Sequence, residues 1–515
     1  MVGAATLLWL FLISRLIDLS RIHTGLPSFN DQVGYISTAR TLLKTGTLSS
    51  SIVYPSILLQ TATKNYFYMP GHYLALAASY WLFGYGVWQS LLPNLVAYVL
   101  AAIGVYLIAR RFYNRRVGLA AAGLFMLFAP NLVYAFSAMS EMTRVAATVL
   151  ALAVFVYLPL RWQFLAGPWL AAVPFLFRET GAFLLSPMAL FLYDKLKRRR
   201  LWLTAGFVVY GMVVLSLIYF SSLSAGRPSL MAANVFDNQN TTVYTDAFAN
   251  QRVSSPTLGD WLHRIPSKVW ESAVALVRTI ITAPLDFLAM WTVILLVLAL
   301  LSAIGAALWK DKFFLATAVL SLGHLVFLAA LYETLGYDWL RSLLSVTPFL
   351  AIVGAAWVDR LIWPAHGRVT RVPNRIRWAT VVGAAAGVAL VSAVAVRHFF
   401  RPAVVLDAVD ARRTAWLEQI GHDDSTMLVT PVIFFDYVNL HYPVTWAFIP
   451  GNVETLDLLA ARYTIGTIVL PKGQDTFSPL ALGQVGLVLE KTAQLEGTLY
   501  EIYQRPAPTN SALQN

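Results

Sequence analysis

A short polar segment near the start of the chain contains the residues best suited to chemistry. It reads Phe29-Asn30-Asp31-Gln32-Val33-Gly34-Tyr35 and lies in the loop after the first apolar stretch. A carboxylate held beside a membrane is costly, so such residues mark functional sites. Asp31 is suited to accept a proton from a hydroxyl group, and Tyr35, one helical turn later, to orient that carboxylate. The alternative is that Asp31 caps the following helix, and the two roles are compatible.

A second carboxylate follows at Glu141, at the start of a later apolar stretch. It is a candidate to accept hydrogen bonds from substrate hydroxyl groups, or to bind a divalent cation together with Asp31. The alternative is a charge that favours the dipole of the helix it begins. His72 is a candidate third metal ligand, although a lone histidine at an interface is more often a hydrogen-bonding residue.

Two arginines stand at the ends of other apolar stretches. Arg341 follows Tyr337-Asp338-Trp339-Leu340, and its guanidinium suits the anionic oxygens of a phosphate because it is bidentate and always charged. The alternative is a surface pair with Asp338, which contributes little. Arg178 is a second candidate for this role, and there the alternative is mutual neutralisation with the adjacent Glu179.

Composition identifies the elements that must position these residues. The 515-residue chain is 58% hydrophobic and 12% charged, with a mean hydropathy of +0.63, which indicates a polytopic α-helical membrane protein. The sequence has no cysteine, which excludes disulfides, thiol nucleophiles and cysteine-ligated zinc. A net charge of +12 is weak support for nucleic-acid binding, because the basic residues cluster in short loops between apolar stretches.

These basic clusters set the predicted orientation. They are Arg110 to Arg116, Lys195 to Arg200, Lys310 to Lys312 and Arg360 to Arg377. The positive-inside rule places all of them in the cytoplasm. About eleven crossings satisfy this rule, at 4–19, 87–109, 117–135, 142–160, 163–177, 180–194, 201–222, 284–308, 313–332, 341–360 and 378–398. The apolar segment Gly71–Gly84 is then predicted to lie along the outer interface.

This orientation brings the candidate residues to one face of the membrane. Those predicted outside are Asp31, Glu141, Arg178, Glu179, Asp338 and Arg341. None of them was used to set the orientation. We therefore predict a membrane domain over 1–401, with outer loops 20–70 and 221–283 and the functional site on the extracytoplasmic side.

The character of the chain changes after Arg401, where long apolar stretches end. The patterns predict strands at Thr426–Pro431, Thr464–Pro471 and Thr498–Tyr503, and an amphipathic helix at Val453–Tyr463. Residues 402–515 are accordingly predicted to form a small extracytoplasmic α/β domain.

Several short motifs, taken in order, resemble the C-type (GT-C) integral-membrane glycosyltransferases. They are Asn30-Asp31…Tyr35…Ala39…Gly46, Tyr68-Met69-Pro70-Gly71-His72-Tyr73-Leu74, Leu82-Phe83-Gly84, Tyr106-Leu107-Ile108-Ala109-Arg110-Arg111, Ala129-Pro130, Ser140-Glu141-Met142 and Arg341…Pro348. This superfamily includes the protein O-mannosyltransferases and the lipid A aminoarabinose transferases. The resemblance covers the membrane part to about residue 360. This chain has Tyr68-Met69-Pro70 where the family often has Lys-Pro-Pro.

The resemblance implies an inverting transfer of a monosaccharide from a polyprenyl-phosphate carrier to an acceptor hydroxyl on a lipid, glycan or protein. Asp31 would be the catalytic base, supported by Glu141, while Arg341 and Arg178 would bind the donor phosphate. The residues implied to contact substrate are Tyr35, Tyr68, His72, Glu179 and Asp338. The implied location is the plasma membrane, with membrane lipids as surroundings and no nucleic acid as partner.

Three alternatives remain open at the level of sequence. A lipid-linked polysaccharide ligase or polymerase would use a longer carrier-linked donor. A secondary transporter would place ionisable residues near the membrane midplane, often in two related halves, whereas here the acidic residues stand at the ends of apolar stretches. A non-catalytic scaffold would only display the outer domain.

Overall fold

The computed structural model describes most of the helical part of the chain and most of the C-terminal sheet. The described residues are 2–16, 31–49, 52–53, 68–196, 200–224, 287–331, 341, 343–362, 415–421, 426–430, 445–447, 453–473, 477–495 and 497–506, with isolated helical residues within 266–278 and 389–393 and at 412. Asp338, most of the predicted outer loop 221–283 and most of the predicted span 378–398 lie outside them.

Thirteen α-helices have defined bounds among the described residues from 2 to 362. They are α1 Val2–Leu16, α2 Asp31–Thr45, α3 Gly71–Phe83, α4 Val87–Phe112, α5 Arg115–Leu127, α6 Ala129–Ala135, α7 Glu141–Tyr157, α8 Leu160–Phe175, α9 Leu185–Lys195, α10 Arg200–Ser224, α11 Phe287–Trp309, α12 Lys312–Leu331 and α13 Thr347–Ile362. Two short 3₁₀ helices, Glu179–Leu184 and Leu344–Val346, precede α9 and α13.

Local sequence explains where several of these helices begin. The side chain of Asn114 caps α5 by accepting hydrogen bonds from the backbone N–H groups of Arg116 and Val117. After α5 the chain becomes extended at Phe128, and Pro130 in the first turn starts α6, bent from α5 by 63°. This bend directs the chain into the turn before α7.

Two helices in the described part of the chain, α4 and α10, are long and apolar enough to cross a membrane, and the bent pair α5–α6 is a third candidate. Shorter apolar helices cover Val2–Arg15, Val293–Trp309 and Lys312–Val326. A mostly helical membrane architecture with a small C-terminal sheet is therefore supported. The larger number of crossings from the sequence stays a prediction.

The core of the bundle lies where α4, α5 and α7 pack together. Gly104 of α4 lies so close to α7 that an added Cβ would be 2.5 Å from the Val149 side chain, so the small residue allows the close approach. Tyr98, Phe125 and Phe155 are among the largest fully buried side chains. This packing holds α7 closely against α4 within the bundle.

A six-stranded sheet, in the order β1-β3-β2-β4-β6-β5, takes five of its strands from the C-terminal region. The strands are β1 Ile52–Val53, β2 Met427–Val429, β3 Thr445–Ala447, β4 Ile465–Pro471, β5 Val488–Leu495 and β6 Thr498–Gln504, with helices α14 Val453–Arg462 and α15 Pro479–Gln484 between them. Strands β1 to β4 are parallel, whereas β6 and β5 are antiparallel. The predicted strands at 426–431, 464–471 and 498–503 and the helix at 453–463 correspond to β2, β4, β6 and α14.

Strand β1 does not come from the C-terminal region. It lies between α2 and α3, within the predicted outer loop 20–70, and pairs in parallel with β3, with Ile52 opposite Trp446 and Val53 opposite Ala447. This pairing joins a short segment of that predicted loop to the C-terminal sheet.

Candidate functional site

The candidate site is centred on the first residue of α7, Glu141, which is fully buried. Its Oε1 atom accepts a hydrogen bond from Arg178 Nη1 at 2.6 Å and another from Arg341 Nε at 2.7 Å. Arg178 precedes the first 3₁₀ helix and Arg341 precedes the second. Three segments that are distant in sequence therefore meet at one carboxylate oxygen.

The charges of this cluster determine what Glu141 can do. Burial by itself raises the pKa of its carboxyl. The positive charges of Arg341, Arg178 and Arg144 together outweigh burial and lower the pKa to about 2. Its second oxygen, Oε2, accepts no hydrogen bond from any described residue. A carboxylate this acidic is a poor proton acceptor at neutral pH, and it is well suited to hold two guanidinium groups side by side.

Arg144 lies one helical turn after Glu141 and is also fully buried. Its Nη1 donates to Thr180 Oγ1 at 2.6 Å, and its Nη2 donates to the main-chain carbonyl of Arg341 at 2.7 Å. The site thus contains three arginine side chains around one buried carboxylate.

The turn that leads into α7 is held from two other helices. Gln32 of α2 accepts a hydrogen bond from Ala138 N at 2.7 Å. Asn94 of α4 donates to the carbonyls of Ser137 and Met139 at 2.7 and 2.6 Å. Because buried backbone groups need partners, these amides stabilise an otherwise irregular segment. They fix the position from which Glu141 begins its helix.

His72 of α3 contacts the same turn. Its Nε2 lies 2.8 Å from the carbonyl of Ala138, and its Nδ1 lies 3.0 Å from Thr143 Oγ1. Burial lowers the pKa of His72 to about 4, although the Ala138 hydrogen bond and Glu141 oppose the shift. The imidazole is therefore neutral at physiological pH, and Nε2 carries its proton because a carbonyl only accepts.

These contacts bear on the metal hypothesis. Both ring nitrogens of His72 are bonded within the protein, and one oxygen of Glu141 is occupied by arginines. In the part of the chain that the structure describes, no three histidine, aspartate or glutamate side chains lie close enough to share a cation. The described residues do not by themselves fit a metal site.

Tyr35 connects the predicted base segment to the site. Its ring is fully buried and stacks on Tyr68 with 4.7 Å between ring centroids, and its hydroxyl lies 2.7 Å from Ser140 Oγ. The guanidinium of Arg178 lies 5.9 Å from the Tyr68 ring centroid, within cation–π range. An aromatic wall therefore borders the arginine cluster.

The structure brings several predicted site residues together. Glu141, Arg178 and Arg341 form one cluster, and Tyr35, Tyr68 and His72 surround it. Glu179, half-buried, begins the 3₁₀ helix beside Arg178. The backbone of Asp31 opens α2, four residues before Tyr35, whereas its side chain and all of Asp338 lie outside the described residues.

Two expectations concern side chains whose proposed partners lie outside the described residues. The Tyr35 hydroxyl bonds to Ser140, while the side chain of Asp31, which Tyr35 was expected to orient, is not among the described ones. Arg341 is only 7% exposed and pairs with Glu141, so it is not an exposed surface residue, and its alternative partner Asp338 lies outside the described residues.

Sequence reasoning missed Gln32, Asn94 and Arg144. The first two are ordinary polar residues, and nothing in the local pattern marks them. Arg144 had a usable signal, because it is a charged residue inside the predicted span 142–160, where a charge is costly and marks function. It also lies three residues after Glu141, the spacing of neighbours on one helix face.

Comparisons with known proteins agree with this architecture. The family model described as dolichyl-phosphate-mannose-protein mannosyltransferase matches residues 69–224. ArnT from Cupriavidus metallidurans bound to undecaprenyl phosphate matches with a TM-score of 0.54 and 16% identity, over 98% of both chains. Its apo state gives 0.54 and 14% identity, again over 98% of both chains.

An archaeal oligosaccharyltransferase, from Archaeoglobus fulgidus, is more distant, with a TM-score of 0.47 and 11% identity over 90% of this chain and 69% of that chain. No curated protein sequence matches the chain significantly. The resemblance to the GT-C glycosyltransferases is confirmed: the chain has their fold, and the family match covers α3 to α10.

Proposed function

We propose that this chain, which has the GT-C glycosyltransferase fold, transfers a monosaccharide from a polyprenyl-phosphate carrier to an acceptor hydroxyl group on the extracytoplasmic side of the plasma membrane. The observation that carries the proposal is the pair Arg178 and Arg341, held side by side by the buried Glu141. Two adjacent guanidinium groups suit a phosphate, because they offer several charge-assisted donors at once.

The proposed reaction is a single displacement with inversion. Asp31 accepts the proton of the acceptor hydroxyl as its oxygen attacks the anomeric carbon. The bond from that carbon to the phosphate oxygen breaks, and its electron pair leaves with the polyprenyl phosphate. Arg341 and Arg178 stabilise the negative charge that develops on this leaving group.

Glu141 acts in this proposal by holding the arginines rather than by accepting the proton. Its low pKa and its two guanidinium partners support this division of roles. Oε2 is also buried and accepts no hydrogen bond from a described residue, so Glu141 is proposed to act on the donor through the two arginines. Two carboxylates in one site therefore take different roles because their surroundings differ.

The other candidate site residues fall into two groups, partly buried side chains proposed to contact the donor and fully buried side chains proposed to support the site. Tyr68 is only partly buried and borders the arginines, which suits contact with the donor sugar, and Glu179 has similar exposure. Tyr35 and His72 are fully buried and act by holding the turn before α7. Asp338 stays a proposed substrate contact, and the outer sheet is proposed to recognise the acceptor.

A purified-protein binding experiment tests the donor site. Polyprenyl phosphate affinity is measured for the unmodified protein in lipid nanodiscs and for Arg341→Lys and Arg341→Ala. Lysine keeps the charge and loses the bidentate fork, so affinity falls, and alanine lowers it further, by about 1.5–3 kcal/mol. Arg115→Ala is the control, because Arg115 is an exposed cation at the far end of α5–α6.

Unchanged affinity in Arg341→Ala would remove the phosphate role and with it the proposed function. A carrier-linked single sugar and a longer carrier-linked glycan, offered as alternative donors, distinguish the monosaccharide transferase from a ligase or polymerase. Uptake of a soluble solute into sealed vesicles without any glycosylated product would favour a transporter.

A further inference from the structure

The hydrogen bonds that Arg144 makes do not explain why a positively charged side chain is buried at this position. It is fully buried, and its hydrogen bonds go to two neutral acceptors, Thr180 Oγ1 and the carbonyl of Arg341. Taking a guanidinium out of water carries a large desolvation penalty. Neutral amide side chains make the same kinds of hydrogen bond without that penalty, so the retained charge points to a function.

The identity of the two acceptors shows what Arg144 connects. Thr180 lies two residues after Arg178, in the 3₁₀ helix that Arg178 precedes. The second acceptor is the main chain of Arg341 itself. One guanidinium therefore joins the two backbone segments that carry the phosphate-binding arginines.

Glu141 and Arg144 complement each other in this arrangement. Glu141 contacts the side chains of Arg178 and Arg341, while Arg144 holds their backbone segments. The two residues stand three positions apart on α7, so they project from the same face of one helix. A single rigid helix thereby determines both where the arginines are attached and where their charged ends point.

We infer that Arg144 is a positioning residue that sets the spacing of Arg178 and Arg341 for the donor phosphate. The inference rests on the proposed function, because it assigns Arg144 to the phosphate site. Only arginine offers two donors in a fixed planar fork, here directed at acceptors on two separate segments. Its positive charge also favours the phosphate across a water-poor interior.

The test compares Arg144→Lys, Arg144→Gln and Thr180→Val in the full chain, each in lipid nanodiscs. Polyprenyl phosphate affinity, donor KM, acceptor KM and thermal stability are measured together. Arg144→Lys and Arg144→Gln should bind the lipid about tenfold or more weakly, the effect of losing one charge-assisted hydrogen bond. Thr180→Val, which removes one acceptor at nearly constant volume, should weaken binding less, and acceptor KM should not change.

The matched control is Arg360→Lys at the end of α13. Arg360 forms an ion pair with Asp311 at 2.6 Å and packs on Trp309, away from the phosphate-binding cluster. This variant should lose thermal stability and keep its lipid affinity. A merely structural Arg144 would behave in the same way, so the donor affinity separates the two roles.

Normal lipid affinity and donor KM in folded Arg144→Lys and Thr180→Val would overturn the inference. Arg341→Ala tells which proposal has failed. If Arg341→Ala binds weakly while the Arg144 and Thr180 variants bind normally, the positioning role is wrong and the phosphate site stands. If Arg341→Ala also binds normally, the proposed function itself is wrong. Should Arg144→Gln not accumulate as folded protein, Arg144→Lys and Thr180→Val decide the matter alone.

Discussion

The hydroxyl of Tyr35 is hydrogen-bonded to the hydroxyl of Ser140 at 2.7 Å. Tyr35 lies one turn into α2, the helix that Asp31 begins, and Ser140 is the residue immediately before Glu141. The contact therefore connects the helix of the proposed base to the turn that carries the arginine-binding carboxylate. It couples the two halves of the proposed chemistry without taking part in it.

Removing this hydroxyl tests that coupling. Tyr35→Phe keeps the ring that stacks on Tyr68 and loses the hydrogen bond, so the fold is retained. Losing one neutral hydrogen bond, worth about 0.5–1.5 kcal/mol, should lower kcat by about threefold to tenfold. Polyprenyl phosphate affinity should stay normal, since the arginines keep their partners. A normal kcat with weakened lipid binding would show that Tyr35 serves the donor site instead.

Asp31 is tested by a substitution that keeps its shape. Asp31→Asn retains size and capping ability but accepts no proton at neutral pH. We expect a folded protein that binds donor lipid and transfers sugar at least about a hundredfold more slowly, the usual contribution of a general base. Transfer is measured under single-turnover conditions with saturating donor.

Asp31→Ala serves as the companion variant. It should match the rate loss and also lose about 1 kcal/mol of stability through the missing cap. Near-normal turnover in Asp31→Asn, together with lower stability in Asp31→Ala, would identify the carboxylate as a cap and overturn its assignment as the base.

The low pKa of Glu141 predicts a specific dependence of stability on pH. Arg341, Arg178 and Arg144 outweigh burial and hold the pKa at about 2, compared with 4.5 for a free side chain. Its ionised form stabilises the fold fully above pH 4.5, and this contribution is lost as pH falls towards 2. The difference in Tm between the unmodified protein and Glu141→Gln should therefore stay constant from pH 8 to pH 5 and narrow only below about 4.5. If this difference in Tm already narrowed between pH 8 and pH 6, the assignment of Glu141 to the ion pairs with Arg178 and Arg341 would be contradicted.

The predicted orientation has its own test. Tags inserted after residues 198 and 370 should be protected in sealed right-side-out cells, and a tag after residue 508 should be accessible, because the basic clusters are expected in the cytoplasm. The tags are read by a membrane-impermeant label. Accessibility of the first tag with protection of the last would place Asp31 in the cytoplasm.

The sequence grouped Glu141, Arg178 and Arg341 without predicting their contacts. The alternation of membrane spans was enough to expect Glu141, Arg178 and Arg341 on one side of the membrane. The topology does not, however, predict the distances between these side chains. The two arginines meet at one oxygen of Glu141 because α5 and α6 are bent by 63° and Asn94 holds the turn before α7. The distribution of charged residues among the loops predicts neither feature. The geometry of the site is therefore a property of the packed bundle.

Arg144 and β5 were missed for opposite reasons. Arg144 is a single charge within an apolar stretch, and averaging hydropathy over the stretch conceals it. Strand β5 has largely exposed side chains, so it lacks the buried alternation that marks a strand, and its pairing with β6 along most of its length defines it instead. The role of Arg144 depends on partners that are distant in sequence, and strand β5 depends on backbone pairing. A local sequence pattern contains neither kind of information.

The pairing of strand β1 with β3 has a consequence for the order of folding. Ile52 is synthesised before the helices from α3 to α13, and its partner Trp446 emerges only after those helices have been made. The backbone of β1 must therefore wait for β3 while the intervening helices are synthesised. Pairing across such a sequence separation forms late in folding. The joining of β1 to β3 is thus expected to be among the last steps of folding, so a chain that stops before β3 would carry every residue of the arginine cluster and still leave β1 without this partner.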